Sequence, residues 1–444
     1  MPREVTRPDG PIFPKSSTAP MHAQPSPWHL RQVLICFVAL SVSFPIAWIS
    51  LAKVFLFVFG LAYLVINHLS DQRDSTLSNY WAPRVVLAGT VTFFISLTWT
   101  SVDMDIALLA LVKHAKLVEI LLLMSLIRTA GEARNAIAAF TAGQAFLLAS
   151  SWLLALGIPL PWVTDPIGKY VVFSTYLDQS IMFATAAAVF WHLRSDYLKP
   201  GWVSGSFAIA AVINVLLLLE GRTGYAVALT VLSLSVMWAM PKRIRLITLI
   251  ITPVVVLTGL SLGSSQVQGR ISKILDESQS YSKQVETDSS SGWRLNAWHR
   301  SIQAIAESPW HGHGVGSWAI TVKRLQGNSA TKTFGSGNAS NPHQEYLLWG
   351  VELGVGGVLL FVALLLACLR DAQYFPTSVQ RALCSVIAAM AVACLFNSAV
   401  YDDLMGDYFC ITVGLLMALG IRTQGDPSNN TPGVPVLHQP LGAT

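Results

Sequence analysis

Apolar runs of membrane-crossing length follow one another along almost the whole chain, at residues 32–48, 51–69, 84–101, 105–127, 135–157, 173–192, 202–219, 223–240, 245–262, 344–369, 380–400 and 408–421. Each approaches the roughly 20 residues that a helix needs to cross a hydrocarbon core. Inside that core every backbone N–H and C=O must be bonded within the protein, so runs of this kind fold as helices. With 53% hydrophobic and only 12% charged residues, the 444-residue chain has too little charge to cover a soluble domain of its size. The expected fold is an all-α polytopic membrane protein with about twelve transmembrane helices and a large, partly helical outer loop between helices 9 and 10. The pattern divides the chain into a tail (1–31), helices 1–9 (32–262), the loop (263–342), helices 10–12 (343–421) and a second tail (422–444). Seven prolines and no apolar run in the first 30 residues predict a disordered leading tail and no cleaved signal peptide, leaving the first helix as insertion signal.

Basic residues set the orientation. With twelve spans and the N-terminus inside, Arg3, Arg7, Lys15, Arg31, Arg73, Arg84, Arg128, Arg134, Arg194, Lys199, Lys242, Arg243, Arg245, Arg370, Arg381 and Arg422 all face the cytoplasm. The short outer loops then hold only Lys53, Lys169 and Arg222, which satisfies the positive-inside rule and predicts two cytoplasmic termini. The net charge of +5 is accounted for by this topology and implies no nucleic-acid partner. Cys36, Cys368, Cys384, Cys394 and Cys410 lie in apolar segments, without metal-ligand spacing or a disulfide framework. The absence of an internal repeat speaks against inverted-repeat transporters. In a bacterium the large loop would face the periplasm, where neither ATP nor nucleotide sugars are available.

That loop is too long to be a connector alone. Arg270, Lys273, Lys283, Arg294, Arg300, Lys323, Arg324 and Lys332 outnumber Asp276, Glu277, Glu286, Asp288 and Glu307, so it is either a solvated face drawn to anionic headgroups or an anion site. A helix is predicted over 292–306, with Trp298, Ile302 and Ile305 on one face and Arg294 one turn ahead of Trp298. The run "GHGVGSW" from Gly312 follows a helix rather than a strand and lacks a phosphate-loop lysine, so His313 is either a substrate contact or a turn residue. In "LLLEGRTGYAVAL", Arg222 stands after Glu220 and between glycines at a helix start, placed either to snorkel or to bind an anion at the positive helix end. Lys113, His114, Lys116 and Glu119 interrupt the fourth run, and the i, i+3 spacing predicts a Lys116–Glu119 ion pair. Asp402, Asp403 and Asp407 form an acidic group near the last run, spaced either as solvated charges or as cation ligands.

The stretch "NPHQEYLLWGVELGVGG", Asn341 to Gly357, puts His343 behind Pro342 at the outer mouth of the tenth run. A helix N-terminus disfavours imidazolium, so such a histidine is neutral and able to accept a proton, or it simply caps the helix. This stretch resembles the Pro-His-Asn-x-Tyr-Leu…Glu-x-Gly-x-x-Gly signature of the O-antigen ligase and polymerase superfamily, with Gln344 where the family has asparagine. "EGRTGY" resembles the family's arginine motif, and "WRLNAWHRSIQAIAESPWHGHGVGSW" resembles the segment leading into its periplasmic catalytic region.

The resemblance implies an O-antigen ligase in the bacterial inner membrane. Such an enzyme moves a polysaccharide from undecaprenyl diphosphate to a sugar hydroxyl of lipid A-core, in lipopolysaccharide biosynthesis, without nucleotide or other cofactor. It implies His343 as general base and Arg222, with Arg294, Arg270 and Arg300, as the diphosphate site; His313 and Glu345 are further candidate substrate contacts, and no metal site is implied. The partners implied are the lipid-linked donor, the lipid A-core acceptor and membrane lipids. Alternatives are an O-antigen polymerase or protein O-glycosyltransferase of the same superfamily, and a lipid-linked glycan transporter.

Overall fold

The structure is a computed structural model and describes residues 27–69, 75–163, 168–219, 221–263, 290–326 and 341–424. Glu220, Arg270, Lys273, Asp276, Glu277, Lys283, Glu286, Asp288 and Lys332 lie outside the described residues, as do residues 1–26 and 425–444.

Among the described residues the chain is helical, with no strand. The helices are α1 (Pro27–Ser41), α2 (Ile46–Leu69), α3 (Trp81–Ser96), α4 (Met104–His114), α5 (Leu117–Leu126), α6 (Ala130–Ala155), α7 (Tyr176–Leu193), α8 (Gly201–Ile213) and α9 (Arg222–Ala239). They continue with α10 (Arg245–Gly263), α11 (Ser290–Glu307), α12 (Trp318–Gln326), α13 (Glu345–Ala372), α14 (Thr377–Phe396) and α15 (Asp403–Thr423). Among the described residues six segments are long and apolar enough to cross a membrane: Ile46–Asn67, Ala130–Ala155, Gly201–Leu218, Glu345–Ala372, Thr377–Phe396 and Asp403–Thr423. The protein is therefore a multi-pass helical membrane protein.

Each of the twelve apolar runs falls mainly on helix, but the run at 32–48 divides between α1 and α2 at residues 42–45, and two others do not fold as single rods. The run at 105–127 breaks between His114 and Leu117, leaving α4 and α5 each too short to cross alone. The predicted ion pair that would have held this run together is not made. Lys116 instead sends its Nζ to the Asp402 carbonyl oxygen at 2.6 Å, and both Glu119 carboxylate oxygens lack a hydrogen-bond partner. The Asp402 carbonyl also accepts the first N–H of α15, from Gly406 at 3.0 Å, and its second lone pair takes the ammonium. The second interruption is a kink in α13 at Gly354, whose φ is +70°, a conformation that favours glycine.

The last helix, α15, is enclosed along its length, packed on α5, α6 and α14, while α7 is wrapped by α8, α9 and α14. Large apolar side chains such as Val58, Phe94, Leu109, Trp202 and Leu246 are exposed on the outside. Gln144, Gln179, Glu345, Glu352 and Asp407 point inward. A bundle whose solvent is lipid shows this distribution, because there an unpaired polar group is tolerated only in the interior.

Candidate functional site

The glycine-rich turn after α11 is a plug in the kinked helix. Where Gly354 breaks α13, the carbonyl oxygens of Val351 and Glu352 accept from the N–H groups of His313 and Gly314, both at 2.9 Å, and the Val355 N–H donates to the Pro309 carbonyl at 2.8 Å. The Glu352 carboxylate accepts from the Gly316 N–H at 2.9 Å with one oxygen and contacts His114 Nε2 at 2.7 Å with the other. Glu352 and His114 are both buried, and the His114 ring stacks on Phe93 with centroids 3.7 Å apart. The turn's N–H groups are thus committed to protein acceptors, with Val315 bonded to Ser96 Oγ, and none is aimed at a phosphate.

Helix α11, expected over 292–306, forms over Ser290–Glu307. Ile305 packs against the core beside Gly350 of α13, and the inward face also takes small residues. Ala297, Ser301 and Ala304 are buried, whereas Ile302 is 58% exposed. Small residues face inward because Trp318 donates its indole N–H to Ser301 Oγ at 2.8 Å and α13 lies close behind. Trp298 uses its own indole N–H on the Pro342 carbonyl at 3.1 Å, tying α11 to the segment that carries His343.

His343 sits at a left-handed backbone position, φ +51°, which is rare for a residue with a Cβ. The Asn341 side chain holds its N–H at 2.9 Å, and the Trp293 ring meets the imidazole edge to face at 5.2 Å. Three consecutive residues then bond to one turn between α14 and α15. His343 Nδ1 faces Asn397 Oδ1 at 3.0 Å, the Gln344 N–H donates to Ser398 Oγ at 3.1 Å, and the Glu345 carboxylate accepts from the N–H groups of Val400 and Tyr401, both at 3.1 Å. Because Asn397 Oδ1 accepts, Nδ1 carries the proton, and among the described residues no hydrogen bond is made to Nε2. Burial pushes the imidazole below the ordinary histidine range, the Asn397 bond works the other way, Arg294 adds to the lowering, and Asp402 opposes it.

Arg222 is the first residue of α9, exposed at that helix's positive end. Arg294, half-buried on α11, is electrostatically coupled to both Arg222 and His343. Burial lowers its pKa, Tyr176 counteracts that, and the like charge of Arg222 lowers it further. Arg294 on α11 is thus within electrostatic reach both of the start of α9 and of the mouth of α13. The glycines beside Arg222 serve packing rather than ligand access: a Cβ on Gly221 or Gly224 would meet Ser180 Oγ of α7 at 2.3 or 2.2 Å.

Three other candidates stand apart. Arg300 bonds Gln303 Oε1 at 2.9 Å and lines a shallow surface cleft with Ala306, Glu307 and Leu325, because it projects from another side of α11 than Arg294. His313 Nε2 is occupied by the Ala304 carbonyl at 2.9 Å, as befits a residue of the plug. Glu345 is fully buried, and both its oxygens are taken up by Trp349, Val400 and Tyr401, so it anchors the turn. Arg270 lies outside the described residues. The acidic group near α15 is divided: Asp402 caps the helix through Leu404 and Met405, Asp403 lies near Lys113 and Lys116, and Asp407 pairs with Lys53 at 2.8 Å. Asn397 and Trp293 were absent from the sequence-derived set. A polar residue ending an apolar run reads as an ordinary helix cap, and an aromatic in a loop helix reads as packing.

A multi-pass helical bundle with an imidazole at the mouth of a kinked span, within electrostatic reach of a guanidinium on a loop helix that feels a second one at a helix start, is the class of protein these features define. Residues 207–362, from α8 through the plug into α13, match the family described as O-Antigen ligase. Over 154 residues the chain is 29% identical to a general O-oligosaccharyltransferase of Acinetobacter baylyi (strain ATCC 33305 / BD413 / ADP1), covering 34% of this chain and 25% of that protein. The resemblance to the O-antigen ligase superfamily is therefore supported over the segment that carries Arg222, Arg294 and His343.

Proposed function

We propose that the protein is a glycosyltransferase that moves a glycan from undecaprenyl diphosphate to a hydroxyl of lipid A-core at the periplasmic face of the inner membrane, an O-antigen ligase. The observation that carries this reading is the His343 imidazole, fixed through Nδ1 by Asn397 and within electrostatic reach of Arg294, which in turn feels the charge of Arg222 at the positive end of α9. Two like charges held together by the fold repel each other, and a diphosphate relieves that repulsion with paired hydrogen bonds. In the reaction, Nε2 takes the acceptor hydroxyl proton, the oxygen forms a bond to the anomeric carbon, and the bond from that carbon to the diphosphate oxygen breaks. The departing diphosphate takes the bonding pair, and Arg222 and Arg294 stabilise its charge. A single in-line displacement inverts the anomeric centre.

The twelve-span topology, the cytoplasmic termini and the periplasmic side of the loop belong to the same proposal, supported by the positive-inside distribution of lysine and arginine. The division into tails, two helical blocks and a catalytic loop at 263–342 belongs to it as well. The relative named above, an O-oligosaccharyltransferase, supports a second reading: transfer of an oligosaccharide to another hydroxyl, such as that of a protein. The test is the purified protein in lipid nanodiscs, given labelled undecaprenyl-diphosphate glycan and, in separate arms, lipid A-core or a serine-rich acceptor protein, without nucleotide. Transfer to lipid A-core that is lost in His343→Ala is expected. Transfer only to the protein would establish the second reading, and movement of donor across the bilayer without bond formation would replace both with a transporter.

A further inference from the structure

We infer that Asn397 is a positioning residue for His343: its carboxamide oxygen holds the imidazole in the Nδ1–H tautomer and aims Nε2 at the acceptor hydroxyl. This rests on His343 being the base. The contact is direct, Nδ1 to Oδ1 at 3.0 Å, and it joins residues 54 positions apart in the sequence. A neutral imidazole has one N–H and one lone pair, and an acceptor at Nδ1 decides which nitrogen has which. Without that acceptor the proton would distribute between both nitrogens, and a fraction of molecules would present Nε2–H, which cannot accept a proton.

The surroundings make the contact rigid. Asn397 ends α14, and its own N–H is satisfied by the Ala393 carbonyl at 2.9 Å. The adjoining turn is held from both sides, by the Glu345 carboxylate on Val400 and Tyr401 and by Lys116 Nζ on the Asp402 carbonyl. On the histidine side, the Gln344 N–H is fixed by Ser398 Oγ and the ring by the Trp293 edge. The charged groups that act on the imidazole are Arg294, from α11, and Asp402, at the start of α15. Neither supplies the bond at Nδ1, so that role falls to Asn397 alone among these groups.

The test uses full-length protein in nanodiscs and compares wild type with Asn397→Ala, Asn397→Asp and His343→Gln. Three quantities are read: kcat and KM for transfer, the pH profile, and the ¹⁵N spectrum of labelled histidines, in which the His343→Gln difference identifies the His343 resonances. Asn397→Ala is expected to lower kcat about tenfold or more, part of what a general base contributes, with KM little changed and the His343 Nδ1–H signature lost. Asn397→Asp keeps an acceptor at Nδ1 and adds negative charge. It is expected to restore the plateau rate and to move the acidic limb to higher pH, a result that a mere helix cap would not give. A wild-type kcat and pH limb in Asn397→Ala, alongside inactive His343→Gln, would overturn the positioning role and leave the base intact. An active His343→Gln would overturn the base assignment itself. An unchanged His343 tautomer in Asn397→Ala would also refute the positioning role, whatever its rate.

Discussion

Replacing His343 by glycine separates what the residue does for the fold from what it does for the reaction. The backbone there is left-handed, with φ +51°, which costs a residue bearing a Cβ about 1–2 kcal/mol and glycine almost nothing. Against that relief stand the lost bond to Asn397, about 1 kcal/mol, and the lost edge-to-face contact with Trp293, about 0.5–1.5 kcal/mol. The extra chain entropy of glycine adds about 0.5–1 kcal/mol. The net destabilisation is about 0–2.5 kcal/mol, while loss of a general base lowers transfer by about 100-fold or more. His343→Gly should therefore survive purification with a thermal midpoint near wild type and still fail to transfer glycan. Added imidazole should restore part of the rate, because the space left is the shape of the missing ring. The assay is gel-resolved transfer with and without imidazole, next to thermal unfolding followed by chromatography. Transfer at the wild-type rate without imidazole would refute the reasoning about the base. Collapse of the variant on purification would refute the reasoning about strain.

Arg222→Lys and Arg294→Lys keep charge but lose the bidentate fork, and each should lower kcat/KM about tenfold; Arg300→Lys, away from the pair, should not, and an unchanged rate in all three would mean that charge alone matters. Gly354→Ala puts a Cβ 2.4 Å from the Pro309 carbonyl oxygen at a φ of +70°, so it should destabilise by about 2–5 kcal/mol and release the plug. Gly356→Ala, with nothing within 4 Å, should leave the thermal midpoint unchanged, and similar midpoints for the two variants would refute the account of the kink. Transfer should fall as pH drops through the His343 pKa, which burial holds below the ordinary value of about 6.5, since the neutral ring is the competent form. Asp402→Asn keeps the helix cap but removes a charge that raises that pKa, so the acidic limb should move to still lower pH; a shift upward would contradict the sign.

Where the chain becomes helical was legible in its sequence because apolar length is a local property, and each of the twelve runs lies mainly on helix. Where those helices break was not. Lys116 looked like the partner of Glu119 one turn away, but its preferred acceptor is a carbonyl contributed by residue 402. The small residues on the inward face of α11 were not legible for a related reason: periodicity ranks large apolar residues as buried, and here a close helix contact places Ala297, Ser301 and Ala304 beside Ile305. Arg222, Arg294 and His343 could be nominated because each is a charged or titratable group at an unusual place in an apolar pattern. Asn397 could not, since nothing near it in sequence distinguishes an orienting amide from a cap.

The two buried glutamates of α13 show how the site is built from groups that do no chemistry themselves. A helix that continued straight from Glu345 to Ala372 would have all its carbonyls bonded internally and would offer the loop nothing to grip. The kink at Gly354 frees the carbonyls of Val351 and Glu352, and the plug satisfies them, fixing the end of α11 against α13. The Glu352 carboxylate secures the same junction through Gly316 and His114, while Glu345, two turns earlier, holds the turn bearing Asn397. Arg294 rides on α11 and His343 precedes α13, so the junction at Glu352 sets the distance between the guanidinium and the imidazole. The junction at Glu345 sets the imidazole's orientation. Carboxylates buried among apolar helices are costly unless every oxygen is paired, and these two are each paired through both oxygens. Their positions are therefore as narrowly determined as those of the arginines and the histidine that they align.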